Sequence, residues 1–365
     1  MRFHAFGLRL FAAFGICMLA TELRATSSVN DSTDCADGGV FLLRRQYQSA
    51  LDSLDRCLQK SPANSEAWNN RGSALLGLNR PDEALNSFER AISADPQNAT
   101  AWYNRGVVLS KLSRLKEALV SYDKAVRLKA TYSSAWFNRG NVLRELQQFP
   151  EALESYDAAL KLDNSADAWS NKAFTLLLMK NYEESVKSFD QALQIDPQSG
   201  ESWSLRGIAL DNLGKNEEAI LSFDRAIALN RKIPEVWFNR GTSLMKLGDN
   251  PNALRSFERE LENNPTHVKS WVNKGVVLVR QHRLEEGLQS FERALALDAN
   301  DVHAIEGRCK VLKALSRPLP GTCDGVAVAL PAEGSKDSRN FLADAHYPLR
   351  QMTTLVVAPY TSQPS

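Results

Sequence analysis

The sequence predicts an all-α stack of helical hairpins, and three observations predict it. The seven tryptophans, Trp68, Trp102, Trp136, Trp169, Trp203, Trp237 and Trp271, are the only ones in the 365 residues, and the steps between them are 34, 34, 33, 34, 34 and 34 residues. Each step holds two apolar patterns of helical period separated by a short polar turn such as Leu213-Gly214-Lys215-Asn216. Two steps close on Asp-Pro, at Asp95-Pro96 and Asp196-Pro197, where proline stops a helix because it lacks an amide donor and clashes with the turn before it. No single pair of helices can bury its apolar face alone, so the units must cover one another.

Counted so that tryptophan is its fourth residue, a unit repeats small and aromatic residues at fixed places. The second unit begins at Ser65 and carries Trp68, Gly72, Ala84, Phe88, Ala91 and Pro96. The third carries Trp102, Gly106, Ala118, Tyr122 and Ala125, and the fourth Trp136, Gly140, Ala152, Tyr156 and Ala159. Glycine at the eighth place and alanine at the twentieth let two helices approach, and the aromatic at the twenty-fourth fills the space alongside. A degenerate first unit runs from Asp31, with Asp34 in the tryptophan slot, and reads as an amino-terminal cap. The fifth is irregular: its entry is one residue short, with Ala173 for glycine and Ser185 for alanine, so a change of curvature is expected around Asn164 to Asp167. In the seventh, Glu260 stands in a small-residue slot and is expected to turn outward or find a cation. After the eighth, Val302 to Leu315 forms a polar helix that covers the last apolar face.

The order Trp, Gly, Ala, aromatic, Pro at this period resembles the tetratricopeptide repeat. The resemblance implies a right-handed superhelical solenoid of about eight repeats plus a carboxyl-terminal capping helix, spanning residues 31–316, with the first helix of each unit lining an inner groove. At the sixth place of that helix stand Asn70, Asn104, Asn138, Asn171, Asn239 and Asn273, broken by Leu205. An amide offers one donor and one acceptor in peptide-like geometry, so such a row can hold an extended backbone whatever its side chains. The row is similar to the asparagine ladder in the repeat arm of O-linked N-acetylglucosamine transferases; the bland alternative is a default surface residue. Tyr103, Phe137 and Phe238 at the fifth place and Phe174 at the ninth are expected to add apolar contacts to the groove. The co-chaperone type of domain, which grips a peptide carboxylate with lysines, is disfavoured, because Lys269 is the one lysine at the second place and the fifth has none.

Two further columns read as structural. The seventh place is basic in Arg71, Arg105, Arg139, Lys172, Arg206, Arg240 and Lys274; the twenty-fifth is acidic from Asp55 to Glu292. These predict ion pairs between adjacent units, each modest alone. The serine before each aromatic, from Ser53 to Ser290, reads as a small structural residue rather than a nucleophile.

Composition narrows function further. Lysine and arginine number 44 against 43 acids, for a net charge of +1, so a nucleic-acid partner is disfavoured. The five histidines show no metal-ligand spacing, and no phosphate-cradling loop or nucleophile elbow occurs, so neither catalysis, a cofactor, a metal nor a small-molecule substrate is expected. Residues 1–25 run basic, then apolar, then small, as in a secretory signal, followed by a linker at 26–30. Export to a periplasm or the outside follows if that signal is real, a cytoplasmic protein otherwise, and membrane contact only if the segment stays uncleaved. Cys57 and Cys309 occupy alanine or glycine slots and read as small buried hydrophobes; in an exported chain Cys35 could instead face Cys57 and form a disulfide. Residues 317–365 turn to Pro, Gly, Ser and Thr and read as a disordered tail. The function expected is a noncatalytic scaffold that binds extended or helical protein segments along its groove. The rivals are a glycosyltransferase-type repeat arm without its catalytic domain and an envelope assembly or secretion factor.

Overall fold

The computed structural model describes residues 33–323. The signal and linker at 1–30 and the tail from 324 onward lie outside the described residues. Among those described there are 17 α-helices and one 3₁₀ turn, with no strand. They divide into two compact units, one ending at Thr175 and the other starting at Leu176. The division falls inside the first helix of the irregular fifth hairpin.

The first unit holds four hairpins: α1 Thr33–Leu43 with α2 Tyr47–Lys60, α3 Ser65–Gly77 with α4 Pro81–Ala94, α5 Ala99–Lys111 with α6 Leu115–Leu128, and α7 Ser133–Glu145 with α8 Phe149–Leu162. It ends within α9, Ala166–Leu178. The second holds α10 Tyr182–Ile195, then α11 Gly200–Asn212 with α12 Asn216–Leu229, α13 Val236–Lys246 with α14 Asn250–Asn263, α15 Val268–Arg280 with α16 Leu284–Leu297, and the single helix α17 Val302–Ala314.

Local chemistry sets the helix ends. Asn64, Asn98, Ser199 and Asp301 cap first helices by accepting a backbone N–H three residues on, and Pro81 opens α4 where a missing donor costs nothing. Between the two helices of each hairpin one residue turns left-handed: Arg45, Asn79, Ser113, Gln147, Lys180 and His282 do so with φ near +60°, and Gly214 and Gly248 with φ of 74° and 80°. The N–H after it returns to a carbonyl five residues back, as from Arg80 to Leu75 O at 2.9 Å, which satisfies the frayed end of the first helix.

Every hairpin except the fifth, which has Ala173, closes on a glycine of its first helix. A Cβ built on Gly72 would sit 2.6 Å from the Phe88 ring, and one on Gly140 2.7 Å from Tyr156, so the ring occupies the space a side chain would take. Phe88, Tyr122, Tyr156, Phe189, Phe223, Phe257 and Phe291 are accordingly among the largest wholly buried side chains. The tryptophans are only half-buried. Their indole N–H groups tie down the loop before the helix, as from Trp68 to Pro62 O at 2.8 Å and Trp203 to Pro197 O at 3.0 Å.

Three expectations need correction. Cys309 is not a packing residue: it is disulfide-bonded to Cys323, which follows α17 in a 3₁₀ turn at Gly321–Cys323. Ordered chain therefore runs past Arg317 into what composition assigned to a tail, because a covalent bond holds those residues against the last helix. Cys57 likewise is bonded to Cys35 across α1 and α2, the exported-chain alternative rather than the packing one. In that first hairpin Asp34 replaces the tryptophan and takes hydrogen bonds from Lys60 and Arg56, which hold its carboxyl below the usual range.

Candidate functional site

The basic column at the seventh place and the acidic column at the twenty-fifth meet at every junction for which both partners are tryptophan-bearing or first-unit neighbours: Arg71 with Asp55, Arg105 with Glu89, Arg139 with Asp123, Lys172 with Asp157, Arg206 with Asp190, Arg240 with Asp224 and Lys274 with Glu258. The N···O separations lie between 2.6 and 3.2 Å. The serine of the column before the aromatic has a role that residue type alone did not reveal. Nη1 of Arg71, Arg105, Arg139, Arg206 and Arg240 donates to Ser87, Ser121, Ser155, Ser222 and Ser256 at 2.6 to 2.8 Å. One guanidinium thus clasps the second helix of its own hairpin and that of the hairpin before, and several stack over the neighbouring tryptophan as well. The signal was available: arginine and serine recur together at a constant offset of 16 residues.

The asparagine row is placed on the first helices as expected, but its amides are differently engaged. Asn104 is buried and donates to Asn69 at 2.8 Å; Asn138 is half-buried and donates to the Tyr103 hydroxyl at 3.1 Å. Asn171, wholly buried, accepts from Arg144 at 2.7 Å and donates to Asp167 O at 2.9 Å. Asn70 Oδ1, Asn239 Nδ2 and both amide atoms of Asn273 are covered without a hydrogen-bond partner. Asn138 and Asn239 are the two rungs whose side chains are only half-buried.

The aromatics at the fifth and ninth places do not line an open groove. Tyr103, Phe137, Phe174 and Phe238 are all buried, at 1 to 8% exposure. The fifth residue lies three before the glycine, so the ring that fills the glycine's space also reaches it: Tyr103 packs on Tyr122 at 5.9 Å, Phe137 on Tyr156 at 6.0 Å and Phe238 on Phe257 at 6.0 Å. Phe174 sits under the Arg144 guanidinium at 5.4 Å. Burial pushes the Tyr103 hydroxyl up to about 12, with the Asn138 hydrogen bond opposing.

Glu260 does not turn outward. It is 4% exposed, desolvation raises its pKa, and the opposing influences are the nearby His267 and a backbone hydrogen bond from Phe238. His267 caps no amide with its side chain; its Nδ1 lies 2.7 Å from Ser270 Oγ and its Nε2 3.8 Å from Glu235, whose carboxyl it holds below the usual range. Among the described residues no group of histidine, cysteine, aspartate and glutamate is arranged to hold a metal, and no helix is long and apolar enough to cross a membrane.

The tetratricopeptide repeat profiles match residues 40–84, 71–133, 133–165, 166–199, 200–233 and 238–302, leaving a gap at 234–237. No curated protein matches the chain significantly in sequence. Among solved structures, Pseudomonas aeruginosa pilF is 19% identical with a TM-score of 0.50, over 58% of this chain and 96% of that one. A tetratricopeptide repeat protein from Parabacteroides merdae is 19% identical with a TM-score of 0.49, over 68% and 99%. MamA from Desulfovibrio magneticus is 20% identical with a TM-score of 0.44, over 46% and 96%. At such identities the likeness to pilF is one of fold. With repeat profiles covering residues 40–233 and 238–302 and the hairpin geometry they describe, the chain belongs to the tetratricopeptide repeat family.

Proposed function

We propose that the chain is a noncatalytic scaffold that binds an extended or helical segment of another protein along the exposed parts of its first helices. The observation that carries this reading is the recurrence of a half-buried asparagine at one place of the fourth and seventh hairpins, Asn138 and Asn239, the members of the row that are not fully buried. A family built for protein interaction supplies the general role. Asn104 and Asn171, through their hydrogen bonds, and the four buried aromatics contribute by fixing the helices that present these two residues. A photo-crosslinking residue at 138 or 239 is expected to trap a polypeptide partner in the native cell, and the same residue at the outward Glu154 is not. Equal yields from all three positions would remove the first helices from the reading.

The export reading draws support from the two disulfides, Cys35 with Cys57 and Cys309 with Cys323, since such bonds persist in oxidising compartments. Amino-terminal sequencing of the mature protein tests it: cleavage near residue 25 supports export, and an intact Met1 with all five cysteines as free thiols overturns it.

A further inference from the structure

The seventh hairpin departs from its siblings around its tryptophan. A cleft of about 290 Å³ opens there, lined by Trp237, Arg240, Asn252, Arg255, Arg259 and Asp224 among others. Three departures converge on it.

The first is charge. At the place of Asn252 the other tryptophan-bearing hairpins carry an acid, Glu83, Glu117, Glu151, Glu184, Glu218 and Glu286. In this hairpin the acid has moved to Asp249, which caps α14, holds the Asn252 amide at 2.7 Å and does not line the cleft. Arg255 and Arg259, one helical turn apart on α14, are both basic, a combination found at these two places in no other hairpin. The equivalent side chains in the siblings sum to zero or negative charge, whereas Asp224, Arg240, Arg255 and Arg259 leave this cleft at two positive charges.

The second departure is a free donor. Six tryptophans give their indole N–H to the loop before their helix, and Trp237 gives its own to no acceptor among the described residues. The third is the loop itself. Before α13 the loop carries Pro234 and then Glu235 in the left-handed region at φ 58°, the one non-glycine residue in that region that stands directly before a hairpin's first helix among the described residues. Helix α13 starts at Val236 and has 11 residues where the other tryptophan-bearing first helices have 13, so the loop before it differs from theirs. A non-glycine residue held left-handed costs about 1 to 2 kcal/mol and persists where its surroundings impose it.

We propose that this cleft is a binding site for an acidic polypeptide segment, two carboxylates of which neutralise Arg255 and Arg259 while one reaches the Trp237 indole N–H. Arg240 is committed to Asp224 and Ser256, so it supplies field rather than a new contact. Among the described residues Arg255 has no ion-pair partner, and Arg259 holds only the exposed Glu262, which a ligand carboxylate can displace. Guanidinium forks suit carboxylates held in pairs, and the single-turn spacing of the two arginines matches acids four residues apart on a helix. The residual charge of Asp224 disfavours a compact dianion pressed deep into the cleft.

The site is separate from the inner-face reading, so either can fail alone. Indole ¹H–¹⁵N resonances give the test, with the Trp237 signal assigned from a Trp237→Phe variant. Titration with a short helical peptide bearing two glutamates four residues apart is expected to shift that signal saturably. The same peptide with glutamines is expected not to. Asn252→Glu restores the acid every sibling tolerates, so it should weaken the peptide at least tenfold while the other six indole signals stay in place and report an intact fold. Arg255→Gln with Arg259→Gln should do the same. Equal binding of the glutamine peptide, no loss in Asn252→Glu, no saturable shift, or the same shift from inorganic phosphate alone would each overturn the proposal.

Discussion

The outer seam and the inner row of the same hairpins are both written into the sequence as periodic columns, yet they behave differently. Along the seam, arginine meets the same serine and the same acid in unit after unit, at nearly constant distance. Along the inner row, asparagine meets another asparagine at 104, a tyrosine at 138, an arginine at 171 and nothing at 273. The seam repeats because both partners recur at fixed spacing. The row varies because its partners stand at the fifth and twelfth places, where residue identity changes from hairpin to hairpin. A repeated residue therefore makes a repeated contact only when its partner repeats too.

The comparison can be sharpened by substitution. The largest effect is expected on the seam: Arg139→Met keeps the stem but loses the bonds to Asp123 and Ser155 and the stacking over Trp136, and should cost about 2 to 3 kcal/mol, read as a drop in thermal midpoint. Next is Glu260→Gln, which should stabilise the protein by about 1 to 2 kcal/mol at neutral pH, because the amide can still accept from Phe238 without a buried charge. The pH dependence follows in sign. Burial raises the folded carboxyl above its unfolded value, so between those values the folded chain binds the extra proton, and stability falls as pH rises through that window. Denaturation of Glu260→Gln across that range should lack this decline.

Smaller effects are expected on the row, and of opposite sign at its two extremes. Asn273→Leu replaces a covered amide whose two polar atoms have no partner and should gain about 1 kcal/mol. Asn138→Ala removes the bond to the buried Tyr103 hydroxyl and should cost about 0.5 to 1 kcal/mol, by urea titration. A row in which all substitutions cost as much as Arg139→Met would erase the distinction between the two columns.

How far the molecule could be read in advance follows the same logic. Tryptophan spacing, the glycine with its aromatic and the opposed charges were legible because each is a relation between residues that both recur. The asparagines were legible as a row but not as contacts. Tyr103, Phe137 and Phe238 were misplaced because helical position alone does not reveal that the ring filling the glycine's space also covers the fifth residue. Cys323 stood beyond the last recognisable helix, where no period assigned it a neighbour. The cleft of the seventh hairpin shows only on subtraction, when Asn252 is set against six glutamates and Trp237 against six bonded indoles.

Arrays of this kind are weakest where they stop, since a terminal hairpin is gripped from one side only and peels away first. This chain has a sulfur–sulfur bond in its first hairpin and another behind its final helix, at Cys35 with Cys57 and Cys309 with Cys323. Each holds a terminal segment to the helix beside it, so while the bond is intact an edge cannot fray residue by residue and has to detach as a block. Digestion by a terminus-seeking protease should then stall at both edges and resume once a reductant is added.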